Sequence, residues 1–208
     1  MNFAIIAQQL VSGMGSSLMI FVLTLLFSMP LGLLVAFGRM SKIKPLQAVI
    51  KVFIAILRGT PLMLQLLVVN FAPYYLFRIS LPRWYRFAAI IIGFSINYAA
   101  YFAEIYRSGI ESIPKGQYEA ASVLGYNKNQ TFFRIIFPQM VKRVLPPVTN
   151  EVITLVKDTS LAFVLAYEEM FTVAKQIASA RTSIMPLFVA GVFYFIFNGV
   201  VAFAMERI

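Results

Sequence analysis

Long runs without a charged side chain alternate with short basic clusters along this 208-residue chain. Leu18 to Gly38 is 21 residues without a charge, enough to cross about 30 Å of hydrocarbon as a helix. Pro30 and Gly32 are expected to bend it. Residues 1–17 are also uncharged but mix apolar residues with Gln8, Gln9 and several Ser and Gly. They lack the basic start and small-residue cleavage site of a signal peptide, and predict a short interfacial helix leading into the span. A basic loop follows, with Arg39, Lys42 and Lys44. The next apolar region, residues 46–77, is too long for one straight span and is interrupted by Lys51 and by Arg58-Gly59-Thr60-Pro61. Pro61 cannot donate a backbone hydrogen bond, so an oblique lead-in segment and a span ending near Phe77 are expected to meet at a kink around 59–61.

The link 78–86 contains Pro82 and three arginines, and a third span is predicted over 87–106. A fourth, over 144–167, holds Glu151, Lys157 and Asp158 at membrane depth. Glu168 to Arg181 reads as an amphipathic surface helix, and 182–205 as the last span. The fold class is thus an all-α polytopic membrane protein of five transmembrane helices, forming one transmembrane domain over 1–208. With the N-terminus outside, the inner segments hold Arg39, Lys42, Lys44, Arg107, Lys115, Lys128, Arg134, Lys142, Arg143 and Arg207. The outer ones hold Arg78, Arg83, Arg86, Lys175 and Arg181. The excess of basic residues sets orientation, so the C-terminus and the 112–140 loop are expected in the cytoplasm.

Composition fixes the class. The chain is 60% hydrophobic and 12% charged, against about 25% charged in a soluble domain. It has no cysteine and no histidine, which excludes disulfides, thiolate chemistry, imidazole bases and the usual zinc ligand sets. The net charge of +10 sits mostly in loops beside apolar spans. There it serves orientation and contact with anionic membrane lipid rather than nucleic acid. No Gly precedes a Lys-Ser or Lys-Thr pair at P-loop spacing, so the chain is not expected to hydrolyse ATP. No catalytic residues and no metal ligands are assigned.

The loop from 112 to 140 has its own internal logic. Ser112 is a candidate N-cap and Pro114 suits a first turn, predicting a helix to Leu124. Gly125 can supply the left-handed residue that ends it. Asn127 or Asn129 can cap a second helix running toward Pro138. A helix–Gly–helix elbow results. Glu119, Ala120 and Ala121, then Gly125, then Ile135 and Pro138 resemble the EAA loop by which permease subunits of bacterial ATP-binding cassette (ABC) importers dock on their ATPase. Three further segments are similar to the polar amino acid permeases of that class. They are Arg58-Gly59-Thr60-Pro61-Leu62 with Gln65, Ala103-Glu104-Ile105-Tyr106-Arg107-Ser108-Gly109, and Lys157-Asp158-Thr159-Ser160-Leu161. One departure is Ala55, where the family often carries Glu.

The resemblance implies a permease subunit that pairs with a second copy or a paralogue. It also implies two cytoplasmic ATPases, an extracytoplasmic solute-binding protein, an amino acid substrate and the bacterial cytoplasmic membrane. No cofactor is expected in this chain, with ATP and Mg bound by the ATPase. A channel or scaffold with a partner-binding cytoplasmic loop is the alternative. A self-contained secondary transporter is weaker, because five spans show no paired repeat.

Candidate pathway residues come from chemistry. Ionisable groups in a bilayer cost about 2.5–3.5 kcal/mol each, which marks them as functional candidates. Glu151 and Asp158 lie two helical turns apart on nearly one face, able to hold an ammonium group. Thr159 and Ser160 offer hydroxyls to a carboxylate, and Lys157 a positive partner. Asn97, Tyr101 and Glu104 share a face of the third span and are expected to line the path against the fourth. Arg58 is a candidate for substrate contact or gating. Structural pairing between helices accounts for each of these groups as well.

Overall fold

The computed structural model describes residues 3–207; Met1, Asn2 and Ile208 lie outside them. Every regular element among the described residues is helical: α1 (Phe3–Arg39), α2 (Lys44–Gly59), α3 (Leu62–Phe77), α4 (Tyr85–Glu111), α5 (Lys115–Val123) and α6 (Lys128–Thr131). A π-helical turn (Phe132–Ile136) leads into α7 (Phe137–Asp158). A 3-10 turn (Thr159–Leu165), α8 (Met170–Arg181) and α9 (Met185–Glu206) complete the chain.

The bundle is built around α4, whose Phe94, Tyr98 and Phe102 are fully enclosed. Against it lies α1, through the buried small residues Thr24, Ser28, Gly32 and Ala36, spaced by a helical turn. In a bilayer, apolar side chains gain little by leaving lipid, so helices associate by close backbone approach at small residues. Gly32 allows this contact: a Cβ there would stand 2.8 Å from Phe102 Cβ and 3.1 Å from the Ala99 carbonyl oxygen. Gly13 does the same near the other end, where a Cβ would meet Met170 Cα at 2.7 Å and its N at 2.8 Å. Those neighbours are backbone and cannot rotate away. Gly13→Ala is expected to destabilise the solubilised protein by about 1–3 kcal/mol, the usual range for overpacking. The loss is read as a lower melting temperature. Gly15→Ala, with nothing within 4 Å of its would-be Cβ, should hold or slightly raise the temperature, because Ala is favoured over Gly inside a helix by about 0.5–1 kcal/mol.

Several expectations need correction. The separate interfacial helix before residue 18 does not exist as such: α1 is continuous from Phe3 through Pro30 to Arg39. The seating of Gly13 and Ser17 against the start of α8 makes that segment part of the bundle. The kink expected within 46–77 is a full break, with α2 and α3 at 111° to each other. Thr60 and Pro61 both adopt extended backbone there. The third helix runs from Tyr85 to Glu111, beyond the 87–106 span. The fourth stops at Asp158 and continues only as the 3-10 turn to Leu165, closed by Ala166 in the left-handed region. The surface helix expected from Glu168 to Arg181 begins at Met170 and buries Met170, Thr172 and Ala174. By length and hydropathy, α1, α4 and α9 are long and apolar enough to cross a membrane, with α2–α3 a fourth span only if the bent pair is one crossing. The charges of α7 keep it outside that count.

Candidate coupling elbow and transport pathway

The elbow forms as a braced knob. α5 starts after Pro114, not at Ser112. Ser112 closes α4 instead, and its hydroxyl donates to the Gly109 carbonyl at 2.7 Å. Gly125 ends α5 with φ +76°, the left-handed conformation that glycine adopts without a Cβ penalty. Asn127 then caps α6 reciprocally: its Oδ1 accepts from Gln130 N at 2.9 Å, and Gln130 Oε1 accepts from Asn127 N at 3.0 Å. Two side-chain links tie the knob to the following helix. Gln139 Nε2 donates to Gln117 Oε1 at 3.2 Å, and Arg143 donates to the Ser112 carbonyl.

The second arm runs toward Pro138 as expected and then past it. The π turn carries it into α7, with Phe137 N–H bonded back to the Phe132 carbonyl and Pro138, which has no N–H to donate, directly after it. Of the motif residues, Glu119, Ala120, Gly125 and Pro138 are exposed, Ile135 is half-buried, and Ala121 is buried. Val123, Leu124 and Phe133 are 87%, 72% and 66% exposed. These apolar side chains stand exposed on the same elbow as the exposed Glu119 carboxylate.

The pathway residues separate into two groups. Tyr98 of α4, which the sequence reading passed over, donates its hydroxyl to Asp158 Oδ2 at 2.8 Å. Glu151, half-buried on the same helix, lies within electrostatic reach of both Asp158 and Arg58. The Arg58 guanidinium stacks 5.1 Å from the centre of the Tyr101 ring. These groups make one acidic and aromatic face between α4, α7 and the α2–α3 break.

The other candidates are engaged elsewhere. Asn97 does not face α7. Its Nδ2 donates to the Leu57 carbonyl at 3.2 Å and to Gln65 Oε1 at 3.0 Å. Gln65 Nε2 in turn reaches the carbonyls of Leu57 (2.8 Å) and Thr60 (3.1 Å). Backbone groups freed by a break need such partners in a bilayer, so Gln65 and Asn97 sustain the bend. Glu104 joins a clasp at the elbow end of the bundle, 2.6 Å from Arg107 and 3.9 Å from Arg39. The Thr159 and Ser160 hydroxyls donate to the carbonyls of Val156 and Lys157, so neither proton is free for a carboxylate. The Lys157 side chain is exposed.

A further buried carboxylate escaped sequence reading. Glu169 caps α8, accepting from Phe171 N (2.7 Å), Thr172 N (2.6 Å) and Thr172 Oγ1 (2.8 Å). The Tyr194 hydroxyl of α9 adds a fourth bond at 3.1 Å. Burial pushes its carboxyl above the ordinary range, and these donors pull it back. It joins α8 to α9 and, through Ser17, to α1.

Comparison with known proteins places this architecture. The family described as "binding-protein-dependent transport system inner membrane component" matches residues 28–208. The L-cystine transport system permease protein of Bacillus subtilis is 40% identical over 158 residues, which are 76% of this chain and 66% of that protein. The arginine transport system permease protein of the same organism is 31% identical over 95% of this chain and 91% of its own. Among solved structures, an amino acid ABC transporter crystallised with histidines superposes with a TM-score of 0.88 at 29% identity, covering 100% of this chain and 97% of that one. The chain therefore belongs to the binding-protein-dependent inner membrane component family: it is the integral membrane permease subunit of an ABC transporter, and ATP hydrolysis belongs to a separate ATPase subunit.

Proposed function

We propose that this permease imports a polar amino acid, with the elbow at 115–136 as the ATPase-docking surface and the Tyr98–Glu151–Asp158 face as part of the substrate path. The family works through ATPase partners and a second permease. To these the proposal adds a solute-binding protein on the opposite side and ATP with Mg held in the ATPases, not in this chain. It also takes the chain as five crossings of the bacterial cytoplasmic membrane, N-terminus outside.

One observation carries the reading. The elbow's second arm passes through the π turn directly into α7, the helix that bears Glu151 and Asp158. A push on the knob is therefore delivered along one continuous helix, through Pro146 and Pro147, to the acidic face. Helices transmit displacement because their packed side chains resist deformation. Closing the ATPase dimer would tilt α7 against α4 and change which side of the membrane that face meets. The carboxylates suit an ammonium or cationic side chain, and Arg58 suits the substrate carboxylate. The relatives named for cystine and arginine, and the neighbour crystallised with histidines, support an amino acid.

The test is uptake of labelled amino acids into proteoliposomes holding this chain, its co-purified ATPase and binding protein. ATP-dependent accumulation of a cationic or zwitterionic amino acid is expected. Accumulation without the ATPase, driven by an ion gradient, would overturn the reading.

A further inference from the structure

Arg78 and Arg83, between α3 and α4, and Arg86, in the first turn of α4, take no part in the proposed pathway. They lie at the end of the bundle away from the elbow, since α4 separates the two regions by 27 residues, about 40 Å of helix. Arg78, Arg83 and Arg86 are exposed, and no carboxylate lies within ion-pair distance of any of them among the described residues. Arg86 is anchored through one nitrogen, which donates to the Ala166 carbonyl at 3.2 Å, leaving its other N–H groups free.

Beside them opens a cavity of about 450 Å³, lined by Asn70, Tyr74, Tyr75, Ser80, Arg83 and Arg86 among others. Its back wall is fixed by the Tyr85 hydroxyl, which donates to the Val69 carbonyl at 2.9 Å. Near it in the chain stand exposed apolar side chains: Leu76 at 72%, Phe77 at 70% and Trp84 at 68%. Guanidinium groups, hydroxyls and an amide therefore share one cleft, flanked in the chain by apolar side chains of the kind that meet lipid at a bilayer surface.

We propose that this cleft binds the phosphate headgroup of an anionic phospholipid. Arg83 and Arg86 present fork-shaped donors that match phosphate oxygens, and Asn70 and Ser80 offer further polar contacts. Tyr74 and Tyr75 flank the glycerol region, and the apolar collar of Leu76, Phe77 and Trp84 meets the chains. Lipid is favoured because the guanidinium groups and the apolar collar together match a charged headgroup joined to acyl chains.

Trp84 is the only tryptophan in the chain and reports on the site directly. The full chain in non-ionic detergent is titrated with phosphatidylglycerol or phosphatidylcholine brominated on the acyl chains, and quenching of Trp84 fluorescence is followed. Saturable quenching is expected at several-fold lower phosphatidylglycerol than phosphatidylcholine. Arg83→Gln should weaken the phosphatidylglycerol titration about fivefold, the share of one cation near a lipid surface. Among the described residues the Arg83 side chain forms no hydrogen bond or ion pair, so this variant tests binding rather than folding. Equal quenching by both lipids, or an undiminished preference in Arg83→Gln, would overturn the proposal. So would displacement of the lipid by soluble glycerol phosphate at matching concentration, which assigns the cleft to a free phosphate ester. Relief of quenching by the co-purified binding protein, without any lipid preference, would assign the arginines to a protein contact instead.

Discussion

Glu119→Lys is expected to leave the permease folded in the membrane while separating it from its ATPase. Glu119 stands exposed on α5 and its side chain makes no hydrogen bond or ion pair among the described residues, so reversing its charge removes none of these contacts. It lies within one turn of Val123, whose exposure together with that of Leu124 gives the knob an apolar face. A charge reversal at the centre of a contact surface typically costs 2 kcal/mol or more, which is about a 30-fold weaker association. Pull-down of the ATPase through the tagged permease measures this, and melting temperature in detergent checks the fold. Transport should fall with association. Wild-type association in the variant would move the docking surface away from α5.

Asp158→Ala should be comparably severe by a different route. It removes the carboxylate that accepts from Tyr98 at 2.8 Å, leaving an enclosed hydroxyl without its partner. It also deletes one of the two acidic groups on the α7 face. A carboxylate that holds the substrate's ammonium contributes a charge-assisted hydrogen bond of about 2–3 kcal/mol, so substrate-stimulated transport should drop by at least about 30-fold. ATPase association should survive, because the elbow lies roughly six helical turns away along α7. Tyr98→Phe separates structure from substrate. It abolishes the hydrogen bond but keeps the charge, and should lower transport far less than Asp158→Ala. Equal losses in the two variants would make Asp158 a helix-pairing residue.

The legible part of the fold was whatever a single segment decides by itself. Gly125 and Asn127 announced the elbow because a left-handed residue and an N-cap are local requirements. The apolar runs announced α1, α4 and α9 because length and hydropathy set the capacity to cross hydrocarbon. Pro61 gave away the break between α2 and α3, although not its 111° angle, which depends on how α3 seats Leu66 against Gly93. The path was half-legible. Glu151 and Asp158 stood out as charges among apolar residues, whereas Tyr98 looked like one aromatic among many.

The sequence by itself determined an all-helical membrane permease with a helix–Gly–helix elbow, since composition, spacing and caps are properties of consecutive residues. Tertiary structure decided which polar groups face one another. Asn97, Tyr98, Tyr101 and Glu104 lie within two turns of one helix, yet meet four different surroundings: the α2–α3 break, Asp158, Arg58 and the Arg39–Arg107 clasp. A helix turns about 100° per residue, so partners depend on which neighbour packs at each angle. That is settled by contacts such as Gly32 against Phe102 and Gly13 against Met170, made between residues some 70 and 157 positions apart.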